Sequence, residues 1–336
     1  MGNWADSANR PLRVGLVGTG YAAKLRAETF KQDDRAHLVA IAGHNLEKTT
    51  TFSQTYQAEA VSSWQQLVER EDIDLVTICN INSEHGAIAR AALQNHKHVV
   101  VEYPLSLEVA EAEELIALAQ AQNKLLHVEH IELLGGLHQA LKQNLAQIGS
   151  VFYARYSTIA PQRPAPRKWT YNQNLFGFPL SGALSRIHRL TDLFGSVATV
   201  SCQNRYWGTY PESFYQACLC TAQLSFTSGV VAAVTYGKGE TLWQDERKFE
   251  VHGDKGGLIF DKDEGRLVTA EATTPIEVGT RRGLFAKDTG MVLDCLFEGK
   301  PLYVAPAASL YALKVADAAR RSADTGETIV MGSTNF

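Results

Sequence analysis

Leu12-Arg13-Val14-Gly15-Leu16-Val17-Gly18-Thr19-Gly20-Tyr21-Ala22-Ala23 is the stretch that decides the fold. Its first six residues are a mostly apolar run that ends at a glycine, and a helix pattern over 22–30 follows. Between them lies G-x-G-x-x-A. Gly18 permits a tight turn, and Gly20 lets the backbone approach a pyrophosphate. Ala23 lets the helix pack closely on the strand, and the helix N-terminus favours phosphate charge. Gly18, Thr19, Gly20, Tyr21 and Ala22 are therefore cofactor-binding candidates. A glycine pattern alone also describes an ordinary strand-to-helix turn. Here a strand precedes it, a helix follows it, and further strand–helix units come next.

Outward from that loop, strands are predicted over 37–42, 75–79, 98–102 and 125–129. They alternate with helices over 46–55, 64–69, 85–93 and 107–121. Such alternation gives a parallel sheet wrapped by helices, an α/β Rossmann dinucleotide-binding domain over 1–130. The pattern then changes. A helix over 136–146 and a long strand over 150–159 lead into a loop carrying Arg163, Pro164, Pro166 and Arg167. A helix over 180–194 precedes strands over 199–207, 216–226, 230–236, 247–252, 257–260 and 266–270. Short turns such as Thr227-Ser228-Gly229 imply antiparallel pairing. The second domain, 131–336, is thus expected to be α+β with a large, mainly antiparallel sheet. A last helix over 307–321 is expected to pack back on the first domain.

A chain of 336 residues accommodates two such domains, and 45% apolar residues supply a core for each. A net charge of -4, with no run of Lys and Arg, argues against nucleic acid as a partner. The five cysteines form no CxxC pair, which points to reduced thiols. Cys218 and Cys220 share a strand face and read as small core groups. The N-terminus lacks a signal-peptide core, and Asp6 stands where an N-myristoylation pattern needs Ser or Thr. No apolar stretch reaches the roughly 20 residues of a membrane span. A soluble, cytoplasmic protein is expected.

The second strand speaks to cofactor choice. An NAD-binding domain usually places an acid at its end, bonded to the ribose hydroxyls. This strand ends in Ala42-Gly43-His44-Asn45, with no carboxylate to repel a 2′-phosphate. His44, Asn45 and Lys48 are candidate receivers, so NADPH is expected over NADH.

Further motifs carry a family resemblance. Asn82-Ser83-Glu84-His85, with Lys97-His98-Val99 running into Glu102-Tyr103-Pro104, resembles the N-x-x-H and K-H-V-x-x-E-K-P series of the glucose–fructose oxidoreductase and inositol dehydrogenase-like family. That resemblance places Asn82, His85 and Glu102 along the cofactor and residue 103 at the nicotinamide. Two departures stand out. The family's Lys is Tyr103 here. Its D-x-x-x-H pair falls on Ser185 and Arg189, with the following Asp192 kept. Sugar dehydrogenases of the family use that Lys and His to move a hydroxyl proton. A Ser and an always-protonated Arg cannot replace a titrating His.

The E-Y-P variant, with stretches such as KHVVVEYPL, LLHVEHIELLGG, VFYARYSTI and YGKGE, resembles a narrower group, the cyanobacterial-type biliverdin reductases. The likeness runs nearly end to end. It implies hydride transfer from NADPH to the central methine carbon of biliverdin, with a proton added to a pyrrole nitrogen, giving bilirubin. It also implies that the Arg of the S-R-I motif, Arg186, is catalytic. A monomer is favoured by the same likeness.

Arg186 and Arg189 lie three apart, on one helix face. Fixed positive charge stabilises the charge that develops on a tetrapyrrole taking hydride, and Arg binds propionates bidentately. Arg186 is read as stabilising that charge and relaying a proton that comes finally from water. Arg189 and Tyr103 complete the catalytic candidates, Tyr103 as a contact rather than a proton donor. Tyr156, Tyr236 and Trp207 are candidates for the sheet face that receives the flat pigment. The loop 163–169 and Arg281-Arg282 are weaker candidates for its propionates. His127 and Glu129 share one strand face while His130 and Glu132 take the other, so no metal site is expected, and interdomain hydrogen bonds are expected instead. Two alternatives stand beside this reading. One is a family oxidoreductase acting on a sugar or related carbonyl. The other is a non-catalytic NADP- or pigment-binding sensor.

Overall fold

The computed structural model describes residues 10–209 and 211–332, so the reading of the extreme N-terminus lies outside the described residues. The chain divides into two compact units, Met1–Ile131 with Gly283–Leu310, and Glu132–Arg282 with Tyr311–Phe336.

In the first unit, β1 (Leu12–Val17), α1 (Tyr21–Gln32), β2 (Ala36–Ala42), α2 (Leu46–Tyr56), β3 (Glu59–Val61), α3 (Trp64–Glu69), β4 (Leu75–Ile78), α4 (His85–Gln94), β5 (His98–Val101), α5 (Val109–Ala121) and β6 (Leu126–Val128) follow in turn. The strands pair in parallel in the order β3-β2-β1-β4-β5-β6, the dinucleotide-binding order. β1 and β4 are apolar almost throughout because helices cover both faces of a parallel sheet.

The second unit is built on a nine-stranded sheet. Its elements are α6 (Gly136–Asn144), β7 (Val151–Pro161), the short helices α7 (Gln173–Phe176) and α8 (Pro179–Gly182), α9 (Ser185–Phe194), β8 (Val197–Trp207), β9 (Ala217–Phe226), β10 (Val231–Gly239), β11 (Glu246–Gly253), β12 (Gly256–Asp261), β13 (Glu264–Val268) and β14 (Thr273–Ile276). After these come α10 (Leu284–Glu298), α11 (Pro306–Thr325) and β15 (Ile329–Val330). The order is β14-β13-β12-β11-β7-β10-β9-β8-β15. Only β7 and β10 pair in parallel among the described residues, so the sheet is mainly antiparallel, as expected.

Two expectations change. The helix expected over 180–194 is broken into α8 and α9. A Cβ at Gly182 would lie 2.5 Å from the Phe176 carbonyl oxygen, so α8 ends on a glycine that admits Phe176, and the helix restarts at Ser185. The segment that joins the first unit is 283–310, which carries α10 and only the first turn of the last helix. Its helix α10 has no counterpart among the elements expected from the sequence. Val292, Leu293 and Leu296 of α10 join Ala23, Ala27 and Phe30 of α1 in one core. α11 from Tyr311 onward belongs to the second unit, where the Tyr311 hydroxyl accepts from the Val197 amide at 2.7 Å.

Candidate active site

The glycine loop has the geometry its sequence asked for. Gly18 sits at φ +120°, and a Cβ there would lie 2.2 Å from the Cys79 carbonyl oxygen, so no other residue fits. Gly20 is exposed and N-caps α1 with no side-chain cap, and a Cβ on it would meet nothing within 4 Å. The first turn of α1 holds no acid. Free amides, an approachable backbone and a buried Ala23 are what a pyrophosphate at a helix N-terminus requires.

Beyond β2 the receivers divide. The Asn45 side-chain oxygen accepts from the Lys48 amide at 2.9 Å, capping α2, so that atom is committed to the helix. His44 and Lys48 are exposed. Gly43 is glycine for a packing reason: a Cβ would lie 2.4 Å from Thr49 Oγ1.

The two family motifs meet at the end of β5. His85 is buried, and its Nδ1 donates to the Pro104 carbonyl oxygen at 2.8 Å. Burial pulls the imidazole below its usual range and keeps it neutral. His85 therefore braces the turn after Tyr103, and Asn82 beside it is buried as well. The Tyr103 ring stacks on His130, with centroids 5.3 Å apart and planes 5° from parallel. Glu102 is not a free acid: Arg26 Nε donates to it at 2.8 Å.

Arg26, which no sequence motif singled out, anchors a buried ion network. Its Nη1 donates to Asp288 at 2.7 Å and to Thr289 Oγ1 at 3.0 Å. The other Asp288 oxygen takes His127 Nε2 and the Tyr303 hydroxyl, each at 2.7 Å. These partners hold the Asp288 carboxyl well below the usual range against its burial. His130 Nε2 meets Ser309 Oγ at 2.8 Å, and Glu129 accepts from the Ile131 amide. These partners of His127, Glu129 and His130, namely Asp288, Ile131 and Ser309, all lie in the first unit. One signal in the sequence pointed here: Arg26 stands in the stripe Ala23, Ala27, Phe30 that faces the core.

In the second unit α9 carries both arginines. Arg186 Nε donates to Thr158 Oγ1 at 3.2 Å and Nη1 to Ser185 Oγ at 2.9 Å. Its guanidinium carbon lies 5.3 Å from the Tyr236 ring centroid. Arg189 is buried 5.8 Å from the Tyr156 ring centroid, and its Nε and Nη1 have no hydrogen-bond partner among the described residues. Asp192 is occupied by His138 Nε2 at 2.7 Å and Lys142 Nζ at 3.0 Å, which hold its carboxyl down at about 2 against partial burial. Tyr156 pairs with Val234, and Thr158 with Tyr236, so the two tyrosines share a sheet face. Trp207 does not join them. Tyr206 stands opposite Cys218, and Cys218 opposite Lys238, which puts Trp207 on the other face by the two-residue period. Arg163 and Arg167 have local partners, the Leu242 carbonyl and Glu212, while Arg281 and Arg282 are exposed.

The description "Oxidoreductase family, NAD-binding Rossmann fold" matches residues 12–130, and "Oxidoreductase family, C-terminal alpha/beta domain" matches residues 142–331. The chain belongs to the GFO/IDH/MocA oxidoreductase family. Biliverdin reductase A of Mus musculus is 30% identical over 210 residues, 62% of this chain and 67% of that protein. The Homo sapiens protein of that name is 32% identical over 197 residues, 57% of this chain and 61% of that one. Among solved structures of the family, biliverdin reductase from Synechocystis sp. PCC 6803, in complex with biliverdin and NADP+, is 55% identical. It superposes with a TM-score of 0.92 and covers 94% of this chain and 99% of its own. Among the described residues no helix is long and apolar enough to cross a membrane.

Proposed function

We propose that this family member reduces biliverdin to bilirubin with NADPH. The observation that carries the reading is the 55% identity over 94% of the chain to a biliverdin reductase that holds both biliverdin and NADP+. The site residues agree with it. Tyr103, Ser185 and Arg189 leave no Lys–His couple to take the proton of a sugar hydroxyl, which counts against alcohol oxidation on the family's usual plan. The dinucleotide fits the residues present: Gly20 and the uncapped start of α1 suit its pyrophosphate, and the end of β2 carries no acid against a 2′-phosphate.

When bound, NADPH supplies a hydride to the central methine carbon; a proton added to a pyrrole nitrogen completes the two-electron reduction. The protein's share is placement and charge. His85 and Pro104 fix the turn that presents Tyr103, and His130 holds its ring flat. Arg186 offers a cation to the electron density that builds on the pigment, and relays a proton drawn from water. Arg189, with buried N–H groups lacking acceptors, suits a pigment carboxylate.

The test is direct. Mixing the protein with biliverdin and NADPH should turn the green pigment yellow, with loss of NADPH absorbance at one equivalent per bilirubin. An unchanged spectrum at protein concentrations matching the pigment would remove this reading.

A further inference from the structure

Lys238 stands outside every role given so far. It is the next-to-last residue of β10, on the same sheet face as Tyr236 and opposite Cys218. Only 6% of it is exposed. Its Nζ lies 3.9 Å from the Phe176 ring centroid, 4.9 Å from Tyr171, 5.6 Å from Tyr236 and 5.8 Å from Tyr215. It donates to the Thr170 carbonyl oxygen, which also accepts from the Tyr215 hydroxyl at 3.0 Å. Among the described residues no ion pair is formed with it. A methionine would fill an aromatic box without the cost of burying an ammonium group, so packing alone does not explain a lysine here.

Its neighbour supplies the explanation. Tyr236 has two cations near its ring, Arg186 at 5.3 Å and Lys238 at 5.6 Å from the centroid. Arg186 is also tied to Thr158, the residue opposite Tyr236 on β7. We propose that Lys238 is a positioning residue for Arg186: its ammonium holds the Thr170 carbonyl and the Tyr236 ring over which the guanidinium lies, and adds a second positive charge to that sheet face. This inference rests on the biliverdin reading and names the residue that sets its pH dependence.

The active form is then the protonated one. Burial, with help from the Arg186 charge, pulls Lys238 down to about 8. The other groups facing it stay neutral through that pH. Burial raises the phenols of Tyr171, Tyr206, Tyr215 and Tyr236 and the thiol of Cys218. Glu240, at the end of β10, accepts from the Ala165 amide. Deprotonation removes one charge beside Arg186 and loosens the box, so less of the charge developing on the pigment is stabilised.

The experiment is single-turnover reduction of biliverdin at saturating NADPH, from about pH 6 to about pH 10, for the unmodified protein, Lys238→Arg and Lys238→Met. The unmodified protein should lose about tenfold in rate with a midpoint near the Lys238 titration. Lys238→Arg should keep most of the rate and carry the plateau at least about one pH unit higher. Lys238→Met should be flat over this range, about tenfold slower near neutral pH, with pigment affinity changed much less than the rate. If Lys238→Met misfolds, the Arg variant and the Lys ammonium resonance followed by NMR decide the matter. An alkaline limb unmoved in Lys238→Arg, or a lysine titrating at its ordinary pH, overturns the proposal. Failure of the unmodified protein to reduce biliverdin at any pH overturns the functional reading itself, and is seen before a variant is compared.

Discussion

At the scale of single residues, what matters is which side chain carries charge and which merely shapes the site. Arg186 is half-buried, oriented by Thr158 and Ser185, and fixed over an aromatic ring. A preorganised donor of that kind acts on the transition state more than on the ground state. Arg186→Ala should therefore lower kcat by roughly 10²–10³ while pigment affinity changes by much less. A change confined to KM would make Arg186 a carboxylate anchor. Tyr103 differs: its ring is stacked on His130, and Tyr103→Phe keeps that stack while deleting the hydroxyl. The variant should lose at most about tenfold in single-turnover rate, equivalent to ~1.4 kcal/mol. A loss of roughly a thousandfold would make the phenol the proton donor. Tyr103 was visible in the sequence because it breaks a family pattern, and Arg186 because it falls on the S-R-I motif of the narrower resemblance. The sequence did not show Arg26, Asp288 and Tyr303, whose contacts span a long stretch of chain, nor Lys238, whose box is assembled from separate strands and turns.

At the scale of elements, periodicity served well where a segment packs along one direction. The βα alternation of the first unit and the hairpins of the second were legible for that reason, down to the boundaries of β1 and α3. It failed where tertiary packing breaks or recruits a helix. The split between α8 and α9 depends on Phe176 meeting Gly182. The helix α10 escapes a periodicity reading although Leu296 lies four and three residues after Val292 and Leu293, on one helix face, because Gly290 interrupts the pattern and both flanks end in glycine. Its contribution can be measured. Leu293 is fully buried in the core shared with α1. Leu293→Ala should cost about 2–5 kcal/mol in urea unfolding. A loss below ~0.5 kcal/mol would mean that α10 is not part of that core, since only surface substitutions are that mild.

At the scale of the whole molecule, stability should depend on pH through neutral imidazoles in both units, half-buried His98 and buried His188. His98, from the Lys97-His98-Val99 motif, accepts from the Leu125 amide through Nδ1 at 2.9 Å. That nitrogen must stay unprotonated for the bond to exist, and burial pulls the group down to about 4. Burial brings His188 on α9 to about 4 as well. Both folded-state values lie below the ordinary value near 6.5, so acidification puts a proton on the unfolded chain before the folded one accepts it. The stabilisation is fully present above pH 6.5 and is lost as pH falls from there through about 4. Each imidazole accounts for at most ~3 kcal/mol over that window, at ~1.4 kcal/mol for every pH unit that separates the folded from the unfolded titration. Asp192, held at about 2 by His138 and Lys142, adds its loss only below that range. The motif histidine can be isolated with His98→Asn, which places a carbonyl oxygen near the position of Nδ1 and cannot titrate. The variant carries a pH-independent cost for asparagine in a strand, but the slope of unfolding free energy against pH between 6.5 and about 4 should fall by nearly one proton. Urea midpoints at closely spaced pH values, with m unchanged, give that slope. Parallel curves for the two proteins would show that His98 is protonated alike in both states and that the acid sensitivity lies elsewhere.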